Sequence, residues 1–351
     1  MRPSATLLSP SAAAEQLGVS SKALRLYEQH GLLSPGRTAA GWRTYGPSQM
    51  ERAAEIATLR ALGFSFTQIG RVLRGDAKGM ESALAAHQAA LEQRIRMLAD
   101  AAETIRAARV DLAQGKAPSV RELARAATPE SKVEVAFDLP WPWAGERFEL
   151  RDIRPLNFIT GPLFSGKTRF ARAIAENLPG AAFIGLERSA DGGADAQSRV
   201  SDDGALRSRV DRALTWLVED GATLSPALLV LVAALQTNGE QNLVVDMVEQ
   251  GLDQATQEAL VAYLRAHVSL TRSIFLLTRS SAILDLSAVG ADESIMLCPA
   301  NHSPPTRVSP YPGAPGYEAV ATCLASPEVR ARTEGVIAIR PNVAGAPKAA
   351  G

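Results

Sequence analysis

The stretch "GPLFSGKT", residues 161–168, satisfies the pattern Gly-x-x-x-x-Gly-Lys-Ser/Thr. The short apolar run "PLNFITG" leads into it and the helical run "RFARAIAENL" leads away. Strand, glycine-bearing loop and helix are the setting this chemistry needs. Gly161 and Gly166 let the loop curl, so that the amides of Pro162's neighbours Leu163, Phe164 and Ser165 can turn toward phosphate oxygens. The helix that follows adds its positive end, with Arg169 in its first turn. Lys167 is placed to reach β- and γ-phosphates, and the Thr168 hydroxyl to ligate Mg²⁺. The expectation is a site for Mg²⁺ with ATP or another nucleoside triphosphate.

Further on, "NLVVDMVEQGLD" (242–253) reads as a strand running into an acidic residue. Asp246 is the candidate second ligand for Mg²⁺. The next position, where a hydrolytic enzyme usually carries Glu, holds Met247, which can neither take a proton nor orient a water. Glu249 is the nearest carboxylate and the candidate substitute base, provided a local turn brings it in. Arg279, at the end of the apolar run "SIFLLTRS", is the second candidate catalytic group, as a contact to the γ-phosphate. These residues predict at most a slow ATPase.

The bulk composition is that of a globular protein: 46% hydrophobic and 21% charged over 351 residues, enough for two or three domains. Zero net charge hides an asymmetry. Residues 1–75 carry nine basic and four acidic side chains, a balance of +5, whereas residues 128–351 carry twenty and twenty-six, a balance of −6. A basic head on an acidic body points to an anionic partner for the head. Cys298 and Cys323, the two cysteines, fit neither a disulfide framework nor a metal spacing. The N-terminus lacks a signal-peptide core, and the longest apolar run, "PALLVLVAAL" (226–235), is too short to span a bilayer and suits a buried helix. A cytoplasmic protein without a membrane partner is expected.

In residues 7–75, helical patterns alternate with turn signals. Ser9 or Ser11 can cap a first helix that ends at Gly18; Ser20 or Ser21 can cap a second that stops at Gly31. This is a helix-turn-helix pattern. "RTAAGWRTYG" follows as a small hairpin or wing, and two more helices close the unit. From 79 to 114 the character changes. Leu84, Leu91, Leu98, Ile105 and Leu112 recur every seven residues, and Ile95 fills an alternate seam position. The repeat predicts a long helix whose apolar stripe pairs with a second copy as a coiled coil.

The expected fold class is multidomain α and α/β: a winged helix-turn-helix head (1–76), a coiled-coil dimerisation helix (77–115), a linker (116–131), a P-loop α/β nucleotide-binding domain (132–335) and a flexible tail (336–351).

The head resembles the MerR family of bacterial transcription regulators. The residues that carry this are Arg25, Tyr27, Glu28 and Gly31-Leu32-Leu33, then Gly41, Trp42, Arg43 and Tyr45. The resemblance implies a dimer on double-stranded promoter DNA, with RNA polymerase as a further partner. Ser21, Lys22 and Arg25 lie on the early turns of the groove helix, and Arg25, Tyr27, Arg37, Arg43 and Tyr45 are placed for phosphates. Trp42 is expected to pack the wing. Metal-sensing members keep cysteines around the long helix, and residues 76–135 have none.

Residues 132–300 resemble the ATP-binding-cassette ATPases, with departures at the working positions. Ser225 stands in the signature, but Pro226, Ala227 and Leu228 replace Gly-Gly-Gln; Met247 replaces the catalytic Glu and Arg279 the switch His; Glu187 is the nearest stand-in for the lid glutamine. Asp253 matches the family's last Asp in this region. Phe137, Trp141 and Trp143 all lie where a base-stacking aromatic would sit. Two readings follow. One is a dimeric regulator whose nucleotide is effector or clamp; the other is an ATP-hydrolysing DNA-remodelling enzyme or small-molecule phosphotransferase addressed to DNA by its head.

Overall fold

The computed structural model of the protein describes residues 7–76, 80–113, 135–237, 242–267 and 272–329. The linker expected at 116–131 and the tail expected at 336–351 lie outside the described residues.

The head consists of α1 (Pro10–Leu17), α2 (Ser21–Gln29), α3 (Pro47–Ala61) and α4 (Phe66–Val72), with a hairpin of β1 (Gly36–Arg37) and β2 (Arg43–Thr44) between α2 and α3. Ser9 caps α1 and Ser20 caps α2, each accepting a backbone amide three residues on. Gly18, at φ 64°, stops the first helix in the left-handed conformation that costs glycine least. One small core holds the unit together: Leu24, Leu33, Ile56, Phe64 and Ile69 are buried, with Tyr27 and Tyr45 among them. The long helix α5 runs from Met80 to Ala113 as expected, about 50 Å of uninterrupted helix.

The larger domain is built on a six-stranded sheet in the order β10-β9-β5-β8-β7-β6. Its members are β5 (Leu156–Thr160), β6 (Ala181–Ile184), β7 (Asn242–Val245), β8 (Ile274–Leu277), β9 (Glu293–Leu297) and β10 (Thr306–Val308). All neighbours are parallel except β10, which runs against β9 at the edge. The parallel strands are covered on both faces, so their residues read as continuous apolar runs. One face carries α6 (Lys167–Asn177) and a second hairpin, β3 (Val135–Asp138) with β4 (Arg147–Leu150), packed through Phe137, Trp143, Phe170 and Ile174. The other face carries α8 (Gly204–Glu219), α9 (Pro226–Gln236) and α10 (Gln254–His267), beside the shorter α7 (Ala194–Asp202). The run "PALLVLVAAL" is therefore a buried helix: Leu228, Val230, Leu231, Val232, Ala233 and Leu235 all enter this core. A last helix, α11 (Tyr317–Cys323), packs Val320 against the same face. No helix among the described residues is long and apolar enough to cross a membrane.

Phe158 sits fully buried on the central strand β5. Phe158→Ala is expected to cost about 3–5 kcal/mol of stability, because the surrounding sheet cannot collapse into the space left. Urea unfolding followed by circular dichroism measures it.

Candidate functional site

In a parallel sheet the loops at the carboxyl ends of the strands share one edge, and side chains distant in sequence meet there. The 161–168 loop follows β5, Asp246 follows β7 and Arg279 follows β8. The edge thus gathers the candidate phosphate, metal and sensor residues.

The loop is shaped by contacts that only glycine permits. Gly161 takes φ 153°, and a Cβ there would run into the Cys298 carbonyl; Gly166 takes φ 87°, and a Cβ there would come within 2.5 Å of the Trp143 ring. Trp143 itself is buried and donates from Nε1 to the Ser303 carbonyl at 3.0 Å. Phe164 holds the left-handed conformation at φ 62° and is exposed with Leu163 at the tip of the loop. The hydroxyls of Thr160 and Ser165 are buried without a hydrogen-bond partner. Lys167 is also buried; its Nζ donates to the Gly161 and Pro162 carbonyls at 2.9 and 2.5 Å, and burial lowers its pKa. Unspent hydroxyls, a buried ammonium and a loop that its two glycines hold close against the sheet edge fit a triphosphate.

Asp246 is buried, and burial raises its carboxyl above the usual range; a hydrogen bond with Thr168 and the nearby charges of Arg188 and Lys167 pull the other way. Thr168 and Asp246, the two expected metal ligands, are therefore in contact. Beyond Asp246 the chain turns, with Met247 at φ 44°. The turn buries Glu249, whose Oε1 accepts the Arg279 amide at 3.0 Å. The Arg279 guanidinium is close enough to lower the Lys167 pKa further, and its Nε is buried with no acceptor.

Sequence reasoning missed Arg188. It follows β6 and reaches across the strand ends to donate to the carbonyls of Asp246 (2.7 Å) and Met247 (2.8 Å). It lies next to Glu187, the expected lid stand-in, and binds the backbone of the very turn that departs from a hydrolytic site. Position alone could have signalled it, as a basic residue just past a strand beside the one ending at Asp246. Ser225 caps α9 by accepting the Leu228 amide at 3.2 Å, and Asp253 caps α10 through the Thr256 amide at 2.8 Å. Of the three upstream aromatics, Phe137 and Trp143 are core residues; Trp141 is exposed, with the Arg169 guanidinium 4.9 Å from its ring.

On the head, Ser21, Lys22 and Arg25 share the start of α2, with Arg25 exposed. Two expectations are corrected. Tyr27 and Tyr45 do not reach outward for phosphates: both rings are buried, since a head this small needs its aromatic area for a core. Trp42 does not pack the wing; it is 74% exposed at the hairpin. Arg37 and Arg43 both bond Glu28 of α2, at 3.1 and 2.5 Å, which ties the hairpin to that helix. On α5, the side chains of Leu84, Leu91, Ile95, Ile105 and Leu112 are exposed in the single chain; that of Leu98 lies outside the described residues. Among the described residues no group of three or more His, Cys, Asp and Glu could hold a metal by itself.

The profile of MerR HTH family regulatory proteins matches residues 8–76. Heavy metal-dependent transcription regulator 2 of Rhizobium meliloti is 38% identical over 101 residues, 27% of this chain and 69% of that protein. The chain belongs to the MerR family. The HTH-type transcriptional regulator HmrR of Sinorhizobium medicae is 42% identical over 96 residues; the match takes 25% of this chain and spans 65% of HmrR's length. Among solved structures, the ADP conformation of an ATP-binding cassette of an ABC transporter covers 58% of this chain and 98% of its own, at 13% identity and a TM-score of 0.34. The family model's match stops just before α5, and the residues gathered at the sheet edge all lie beyond it.

Burial opposes the charge on Asp246 more strongly than the nearby Arg188 and Lys167 favour it. Its raised pKa means that the protonated form is the one folding favours: that contribution is present below the unfolded value and lost as pH rises through the folded one. At neutral pH, Asp246→Asn is therefore expected to raise the melting temperature of the ligand-free protein. The same change should remove the Mg²⁺-dependent stabilisation by ATP, which differential scanning fluorimetry with and without Mg²⁺ reads directly.

Proposed function

We infer that this MerR-family protein is a dimeric DNA-binding regulator whose second domain binds Mg-nucleotide as effector or conformational clamp, with slow or no hydrolysis. The observation that carries the nucleotide half is the loop at 161–168: two glycines against the Cys298 carbonyl and Trp143, with buried, unpartnered hydroxyls at Thr160 and Ser165. Lys167 would hold phosphate oxygens, and Thr168 with Asp246 the Mg²⁺, which supplies charge neutralisation there. Trp141 is the aromatic exposed for a base to stack on.

The binding-only reading rests on the turn after β7. Met247 is apolar, and Glu249 is turned into the protein onto the Arg279 amide. Arg188 bonds the carbonyls on both sides of the step, which holds that turn in place. A positioned base is worth about 10²–10⁴-fold in rate. Arg279, with a buried Nε in want of an acceptor, suits a reporter of the γ-phosphate. Purified protein is expected to bind Mg-ATP and turn it over at less than about 1 s⁻¹, with or without DNA. Lys167→Ala should abolish the binding and leave the head folded and able to bind DNA at least non-specifically. Faster turnover by the wild type would establish the alternative, an ATP-hydrolysing machine.

The DNA half rests on family membership, the basic head and an exposed Arg25 at the start of α2. Heavy metal is named for the Rhizobium relative; here the absence of cysteine from residues 76–135 argues against a thiolate metal sensor, and nucleotide takes the effector's place. Dimerisation rests on the exposed heptad stripe of α5. Ile95→Glu would put a charge in that seam and is expected to shift the protein from dimer to monomer in sedimentation velocity. A wild-type dimer in the variant would move the interface elsewhere.

A further inference from the structure

The head and the sheet domain meet through a built contact. Asp220, at the end of α8, is buried, and its carboxylate accepts from Arg60 Nη1 at 2.7 Å, from Arg60 Nη2 at 3.2 Å and from the Phe66 amide at 2.9 Å. Every one of those donors belongs to the head. Around this centre, Glu219 accepts from the Ser65 hydroxyl at 3.0 Å, its carbonyl accepts from Thr67 at 2.7 Å, and the Trp216 indole donates to the Gly63 carbonyl at 3.1 Å. The Arg60 guanidinium lies 4.1 Å from the Phe66 ring centroid and 5.6 Å from that of Trp216. A buried carboxylate satisfied entirely from the other domain is costly to strand, so the contact has the character of a specific interface.

Docked in this way, the head turns its groove helix inward. Lys22 Nζ lies 3.1 Å from Glu258 Oε1 on α10, in a half-buried pair. Next to it, a cleft of about 670 Å³ runs between α2 and the sheet domain, with Ser21, Lys22 and Arg25 on one wall and Gln254, Glu258 and Asp285 on the other. A helix enters a major groove about 12 Å wide with a phosphate backbone on each side. In this arrangement α10 faces the side of α2 that carries Lys22, and Glu258 already holds Lys22 with an anionic oxygen, as a phosphate would. The charge balance has the same sense: a head of +5 against a body of −6.

We propose that the docked head is an autoinhibited state: α10 competes with DNA for the recognition helix, and DNA binding requires the head to leave the Asp220 and Glu258 contacts. This rests on the reading of α2 as the DNA-contacting helix. Asp246 and Glu258 stand on one short continuous segment, the turn after β7 leading through the Asp253 cap into α10.

The test uses the full-length protein and a fluorescent 30-base-pair duplex of mixed sequence, titrated by anisotropy at fixed salt. Glu258→Gln, which removes the competing charge, is expected to tighten binding several-fold. Asp220→Asn, which loosens the dock, should tighten it by roughly tenfold, the worth of about 1.4 kcal/mol. Hydrogen exchange gives a second measurement that needs no variant: saturating DNA should release the protection of residues 63–67, whose Phe66 amide is bonded to Asp220. Unchanged affinity in Glu258→Gln, together with protection of 63–67 that persists on DNA, overturns the proposal. Arg25→Ala, made both in the wild type and in Glu258→Gln, separates this from failure of the underlying reading. If it weakens binding in both backgrounds while the interface variants change nothing, α2 binds DNA and only the autoinhibition falls. If it has no effect in either background, the reading of α2 falls and takes the proposal with it.

Discussion

The loop at 161–168 depends on how closely a backbone can be laid against its neighbours. At Gly161 the chain passes the carbonyl of Cys298, and at Gly166 it passes the ring of Trp143. Any side chain at either place would push the loop off the sheet edge and spread the amides that a phosphate needs. The same crowding seals the site from below. Cys298 is buried deeply enough that its thiol is pushed up to about 12, so it is inert at neutral pH and acts here as packing and as a carbonyl. Trp143 is likewise spent on support, which leaves Trp141 as the outward aromatic.

Around that loop the edge of the sheet differs from a hydrolytic one in a consistent way. Where a base would stand there is Met247 in a left-handed turn; the carboxylate two residues on is bonded inward to a backbone amide; and a half-buried arginine just past the neighbouring strand binds the carbonyls of the turn. Such an arrangement favours a fixed geometry over the reorientation that activating a water requires. Under the proposed reading this suits a regulator, because a ligand that stays bound shifts a conformational equilibrium for as long as it stays.

The head adds the other half of the physics. Its core is so small that two tyrosines are needed to fill it, and its hairpin is held to α2 by two arginines on one glutamate. The surface left over is basic and meets an acidic one. Electrostatic complementarity between the domains draws on Lys22 and Arg60, and under the proposed reading of α2 Lys22 is also a side chain that DNA would use. A contact of this kind is most easily traded for DNA when it is peripheral and partly solvated, and the Asp220 cluster is the part that resists.

The sequence by itself determined what depends on local pattern. The strand–loop–helix at 161–168, the helix-turn-helix with its serine caps and stop glycines, the hairpin, the long heptad helix and the buried helix at 226–235 were all legible, because periodicity and capping act over a few residues. So was the gap at Met247, which is a matter of one side chain's chemistry. Only the tertiary structure decided which side chains face which way. Tyr27 and Tyr45 went inward and Trp42 outward because burial depends on what packs from elsewhere in the chain. Arg188 joined the site because parallel strands bring residues 58 and 59 positions apart to one edge. The Asp220–Arg60 clamp joins residues 160 apart, and no local signal marks such a pair. Its existence follows from two surfaces meeting, and a linear pattern carries no record of that.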